Sequence, residues 1–176
     1  MKFKIFKFKK VKSTNKTAIR IIKNSSCKYG MVLAENQTVG RGQYGKKWIS
    51  YKGNIFVSFF YKLNGINLSM VELTNINCLL VKKLLSNYYK KNILFKKPND
   101  LLIKKKKISG ILQEVISVSD TRFMIVGIGI NLIKSPKIKN YPTTNLLETT
   151  KRLINKSKIE NKLKQIFEKN LSKCIK

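Results

Sequence analysis

Nine consecutive residues, Gly40-Arg41-Gly42-Gln43-Tyr44-Gly45-Lys46-Lys47-Trp48, gather three glycines, an arginine, two lysines and the chain's single tryptophan. Glycine lets backbone N–H groups come close to an anion, and arginine can fork onto phosphate or carboxylate oxygens. The indole offers a flat face against which a base can stack. Together these are the parts of a loop that holds a nucleotide and a second, small anionic ligand. Gly40, Gly42 and Gly45 also fit G-x-G-x-x-G. A dinucleotide fold needs that motif directly after a strand and opening a helix. Here Glu35–Val39 separates it from the strand-like Val32-Leu33-Ala34, and the stretch from Trp48 to Asn54 does not read as a helix, so the Rossmann reading fails. A plain surface turn would account for the glycines but not for the arginine and the tryptophan.

Four further pieces carry chemistry. Ser13-Thr14-Asn15 supplies hydroxyls at the start of a helical stretch. Lys96-Lys97-Pro98-Asn99-Asp100 is a turn ending in two oxygen-bearing side chains, with an Asx turn as its purely structural alternative. Lys107-Ile108-Ser109-Gly110-Ile111-Leu112-Gln113-Glu114 sets a lysine at a strand entrance, three residues before a glycine. Gly127-Ile128-Gly129-Ile130-Asn131 is a strand with two bare positions and a polar end; such glycines mark close approach or a bulge.

The elements that position these residues follow from hydrophobic period. Lysine and apolar residues nearly alternate over the first ten positions, a half-buried strand rather than a secretory signal. Ser13-Thr14-Asn15 caps a short helix over 16–23. Strands are expected at 31–34, 54–61, 93–96, 101–103, 108–117 and 122–131, with helices over about 68–89 and 158–171. Strands in succession with helices set apart from them predict an α+β fold with a mixed, mostly antiparallel sheet, in one domain of 176 residues.

Composition narrows the class. No apolar run is long enough to span a bilayer. The chain has no histidine, which excludes Ser-His and Cys-His nucleophile pairs and argues against zinc. Three scattered cysteines, Cys27, Cys78 and Cys174, do not form a disulfide framework and fit a cytoplasmic setting. The formal charge of +30 is almost all lysine, arginine occurring only at positions 20, 41, 122 and 152. That pattern fits compositional drift on solvated faces, or attraction to an acidic partner.

Taken in order, the five motifs resemble those of the biotin–protein ligases: Ser-Thr-Asn, Gly-Arg-Gly-Arg-x-Gly-Arg-x-Trp, Lys-Trp-Pro-Asn-Asp, Lys-x-x-Gly-Ile-Leu-x-Glu and Gly-Ile-Gly-Ile-Asn. The resemblance runs from Ser13 to the segment Tyr141–Leu146. It implies the sheet of the class II aminoacyl-tRNA synthetase and biotin ligase group. It also implies a two-step ligase in which ATP, with Mg²⁺, and biotin give biotinyl-5′-AMP, which then acylates a lysine of a biotin carboxyl carrier domain. On the same grounds Lys107 and Arg41 are the catalytic cations. Ser13, Thr14, Gln37, Gly40, Arg41, Gly110, Gly127 and Gly129 belong to biotin. Gly42, Gln43, Lys46, Trp48, Asn99, Asp100, Lys107 and Asn131 belong to the nucleotide, Trp48 and Asn131 flanking the adenine. Asp100 is the candidate magnesium ligand.

The departures are specific. Gln43 stands where the family usually has arginine, Lys46 where a second arginine is common, and Lys97 where tryptophan precedes the proline. The resemblance covers the catalytic domain alone, with neither an N-terminal DNA-binding domain nor a small C-terminal β domain. A nucleic-acid partner is therefore disfavoured, and a homodimer is left open. The alternatives are a lipoate or octanoate protein ligase of the same superfamily, whose Arg-Arg-x-Ser-Gly-Gly-Gly type of loop is missing here, and a basic, non-enzymatic nucleic-acid-binding domain.

Overall fold

In the computed structural model, which describes residues 2–174, seven strands form one open sheet in the order β1-β2-β3-β7-β6-β5-β4. The strands are β1 (Lys4–Val11), β2 (Tyr29–Gln37), β3 (Ile55–Lys62), β4 (Ile93–Lys96), β5 (Asp100–Ile103), β6 (Lys106–Val118) and β7 (Thr121–Ile130). All neighbours are antiparallel except β1 and β2, which run parallel. The helix α1 (Thr14–Lys23) makes the crossover between that parallel pair, as parallel strands require. The expected α+β class with a mixed, mostly antiparallel sheet is the one observed.

The period-2 pattern sends alternate residues of each strand to opposite layers. On one face Ile55, Val57, Phe59 and Tyr61 of β3 join Met124, Val126, Ile128 and Ile130 of β7 under α2 (Met70–Leu85) and α4 (Lys156–Cys174). Phe59 stacks on Phe167 of α4 with ring centroids 4.1 Å apart. On the other face Val32, Phe60, Phe123 and Ile125 pack against Ala18 and Ile22 of α1, flanked by partly buried residues such as Phe6, Phe8 and Ile116. A helix of 10 residues is about 15 Å long, so α1 covers part of that face and leaves the rest of it free. The functional motifs lie around this uncovered part.

Element ends differ from expectation where local hydrogen bonds intervene. The helix expected over 68–89 begins after a capping box in which the Ser69 hydroxyl accepts the Glu72 N–H and the Glu72 carboxylate accepts the Ser69 N–H. It ends at Leu85, with the Asn87 side-chain amide donating to the carbonyls of Lys83 and Leu84. Tyr88 and Tyr89 still pack on the core, which is why the periodicity outran the helix. Ser13 does occupy the N-cap position of α1, but its side chain makes no capping bond. The lysine turn between β5 and β6 carries Lys104 and Lys105 at φ of 49° and 61°, as a two-residue hairpin loop demands. Among the described residues no helix is long and apolar enough to cross a membrane. The Cys174 side chain lies outside the described residues, while Cys78 is buried and burial pushes its thiol up to about 12.

Candidate active site

A cleft of about 720 Å³ opens on the face that α1 leaves free, a size suited to a cofactor or small-molecule ligand. Its floor is the run of β6 and β7 where Gly110 pairs with Gly129 and Leu112 with Gly127. The N-terminal turn of α1 closes one side, the 97–100 turn another, and the glycine-rich loop forms the roof.

That roof is a folded hairpin. Trp48 N–H donates to Gly40 C=O at 3.0 Å, Gly42 N–H to Lys46 C=O at 2.7 Å, and Arg41 bridges Lys47. At the tip Tyr44 and Gly45 take left-handed conformations, with φ of 54° and 72°. Two expectations change as a result. Gly40 lies at the hairpin base, where an added Cβ would meet the Trp48 carbonyl, and it does not line the cleft. The Gly42 N–H is spent inside the hairpin, so it is not free to cradle a phosphate. Gln43 and Lys46 do line the cleft.

The strand glycines serve protein groups in this structure. A Cβ on Gly129 would lie 2.4 Å from the Trp48 indole, and one on Gly110 would lie 2.9 Å from it. A Cβ on Gly127 would meet the Asn15 carboxamide at 2.2 Å. All three glycines also line the cleft, so their bare positions leave room both for these side chains and for the cleft floor. The tryptophan packs against the cleft floor, and its buried Nε1–H has no partner among the described residues. Asn131, expected beside the adenine, is off the cleft wall. It is buried, its Nδ2 donates to Thr144 C=O, and its backbone ties β6 to the segment after Tyr141. Its Oδ1 has no partner among the described residues.

Both expected catalytic cations reach the cleft, and each meets a carboxylate. Lys107 Nζ lies 2.8 Å from Asp100 Oδ1, 5.4 Å from the centroid of the Trp48 ring and 5.6 Å from that of Tyr141. The Tyr141 hydroxyl donates to Asp100 Oδ2 at 2.6 Å, and burial together with that bond pushes the phenol well above its ordinary range. Arg41 Nη1 lies 2.9 Å from Glu114 Oε1. Glu114 Oε2 accepts from Asn15 Nδ2 at 2.7 Å, and Asn15 Oδ1 accepts from the Ser58 hydroxyl. Gln37 accepts from the Thr14 N–H at 2.8 Å and from its hydroxyl at 3.1 Å, and donates to Ser50, so both are engaged with protein partners. Asn99 is pinned to β6 by its bond to Ile111 C=O.

The residues present do not make a magnesium site of their own. Asp100 accepts the Tyr141 hydroxyl on Oδ2 and forms an ion pair with Lys107 through Oδ1, and no cluster of three or more carboxylate or cysteine groups suited to a metal occurs among the described residues. In this structure Asp100 is the ion-pair partner of Lys107. Residues that sequence reasoning passed over are Asn15, Glu114 and Tyr141. Asn15 and Glu114 end motifs already singled out, and Tyr141 opens the last matching segment.

The fold and this cleft define a class: an α+β catalytic domain with a ligand site on the bare half of its sheet. The profile of the Biotin/lipoate A/B protein ligase family matches residues 7–131, and the chain belongs to that family. It is 33% identical over 126 residues to the bifunctional ligase/repressor BirA of Bacillus subtilis (strain 168), covering 70% of this chain and 39% of that one. It is 31% identical over 127 residues to the biotin–[acetyl-CoA-carboxylase] ligase of Paracoccus denitrificans, covering 70% of this chain and 52% of the other. Among solved structures, the biotin protein ligase of Aquifex aeolicus in complex with biotin and ATP superposes with a TM-score of 0.82 at 29% identity, over 97% of this chain and 71% of that one. The chain therefore spans between about two fifths and half of the length of these two sequence relatives.

Proposed function

We propose that the protein is an ATP-dependent biotin ligase of the biotin–[acetyl-CoA-carboxylase] ligase type. It forms biotinyl-5′-AMP and passes the biotinyl group to a lysine of a biotin carboxyl carrier domain. The observation that carries this reading is the convergence on one cleft of Lys107, Arg41, Trp48 and the first turn of α1, four features from three separate motifs.

The chemistry brings two anions together. A carboxylate oxygen attacks the α-phosphorus of ATP, the bond to the bridging oxygen breaks, and pyrophosphate leaves. Charge builds on the phosphorus oxygens, and preorganised cations aimed at them lower that barrier most. Lys107 is held by its ion pair with Asp100, and its three N–H donors can serve carboxylate and phosphate. Arg41 is likewise held by an ion pair with Glu114, and its guanidinium carries five N–H donors. In the second step a lysine amine attacks the acyl carbon, the bond to the phosphate oxygen breaks, AMP leaves, and the amide nitrogen gives up its proton. The Trp48 face supplies apolar surface for rings. We assign biotin to the part of the cleft near Ser13, Thr14 and Gln37, and the nucleotide to the part near Gln43, Lys46 and Asn99.

The test is biotin-dependent exchange of pyrophosphate into ATP by the purified protein, followed by labelling of a carrier domain at one lysine. Exchange driven by lipoate or octanoate and not by biotin would overturn the substrate assignment.

A further inference from the structure

Glu114 is a motif residue that the reaction above leaves without a task, and it stands at the centre of a chain of hydrogen bonds and one ion pair. The chain starts inside the sheet, where Ser58 is buried, and runs through Asn15 at the head of α1 to Glu114 on β6 and Arg41 on the roof hairpin. Asn15 is itself buried and also donates to Leu112 C=O, so it is fixed from two sides. Glu114 therefore has one oxygen held by a rigid partner, while its other oxygen meets the arginine.

That division decides how Arg41 is held. A guanidinium and a carboxylate left to themselves form a two-pronged pair that uses one whole edge of the arginine. Here Oε2 accepts from Asn15 and Oε1 lies 2.9 Å from Arg41 Nη1, so the carboxylate is shared between the two partners. The pair is partly exposed, 37% for Arg41 and 22% for Glu114, so its worth to overall stability is small. Its value lies in orientation: one N–H is tethered and the others stay available at the cleft. The chain holds only 8 acidic residues against 38 basic ones, and Glu114 faces the glycine-rich loop in spite of that balance.

We propose that Glu114 is the positioning residue for Arg41: buried Asn15 holds one of its oxygens, and the other aims the guanidinium and closes the roof hairpin over an anionic acyl-adenylate. This rests on the functional reading given above. Glu114→Gln keeps size and hydrogen bonding and removes the charge. We expect it to speed release of biotinyl-5′-AMP about tenfold, the scale of one charge-assisted hydrogen bond. We also expect faster hydrogen exchange of the Gly42 and Trp48 amides in the ligand-free protein, with the melting temperature nearly unchanged.

A double-mutant cycle separates positioning from bulk structure. In an Arg41→Ala background, Glu114→Gln is expected to have no further effect on release. Additive effects, unchanged release, or slower release in Glu114→Gln would each overturn the proposal. Wild-type protein that forms and holds no biotinyl-5′-AMP would overturn the functional reading, and the proposal with it. Normal wild-type retention with an unmoved variant would overturn the proposal alone.

Discussion

Lys107 is one of four consecutive lysines, and what separates it from Lys104, Lys105 and Lys106 is its partners. Its ammonium meets Asp100 and two aromatic faces, while the other three are exposed in or beside a hairpin turn. Lys107→Ala is expected to slow adenylate formation by about 10²–10³-fold, the cost of one preorganised donor. Lys105→Ala is expected to leave the rate within about twofold, since surface substitutions away from such contacts do little. Equal effects in single-turnover adenylation would sink the assignment. Lys107 was legible from sequence because its motif is contiguous. Its carboxylate partner was named from the neighbouring motif, but the pairing itself was not, because the contacts that hold Asp100 come from Lys107 and from Tyr141, 41 residues away. Asn15 and Glu114, 99 residues apart, lie beyond the reach of any local pattern.

At the scale of elements, period-2 and period-3.6 patterns gave the strands and the long helices, and they erred where a cap or side-chain bond ended an element early. The parallel pairing of β1 with β2 left no local mark, since a strand's own sequence does not state its neighbour's direction. The roof hairpin and the floor meet at Trp48, which is also the chain's single tryptophan. Gly129→Ala places a methyl within 2.4 Å of the indole and must lift it from the floor. Tryptophan emission is expected to move to longer wavelength in that variant, with far-ultraviolet circular dichroism unchanged. An emission spectrum identical to wild type would contradict the described packing. The helix α4 is tied to the chain's start through Glu168, which accepts from Phe3 N–H at 2.8 Å and from Lys164 at 2.6 Å. Burial raises its pKa, but these two hydrogen bonds and nearby positive charge outweigh that and hold the carboxyl below its usual range. A depressed carboxyl stabilises the fold above the unfolded value and loses that contribution as pH falls through the folded one. The advantage of wild type over Glu168→Gln is therefore expected in full above about pH 4.3 and absent in stronger acid. Melting curves across that range check it; a gap independent of pH would refute it.

For the whole molecule the dominant quantity is a formal charge of +30. If that field steers an acidic carrier domain, transfer of the biotinyl group should slow as ionic strength rises from low to physiological values, while adenylate formation changes little. Stopped-flow measurement of both half-reactions decides it, and equal salt sensitivity would remove the steering role. The strand order carries a different consequence, in the time domain. β6 and β7 form a local hairpin closed at Ser119-Asp120, whereas β3 must find β7 across about sixty residues of intervening chain. Contacts between such distant segments form slowly, because the loop between them must be closed first. Ser58, on β3, reaches the cleft network only through that join. In refolding experiments the β6–β7 amides are therefore expected to gain protection early, and the capacity to retain a ligand only when β3 docks. The kinetics of recovered binding then report the last long-range step in the chain's assembly.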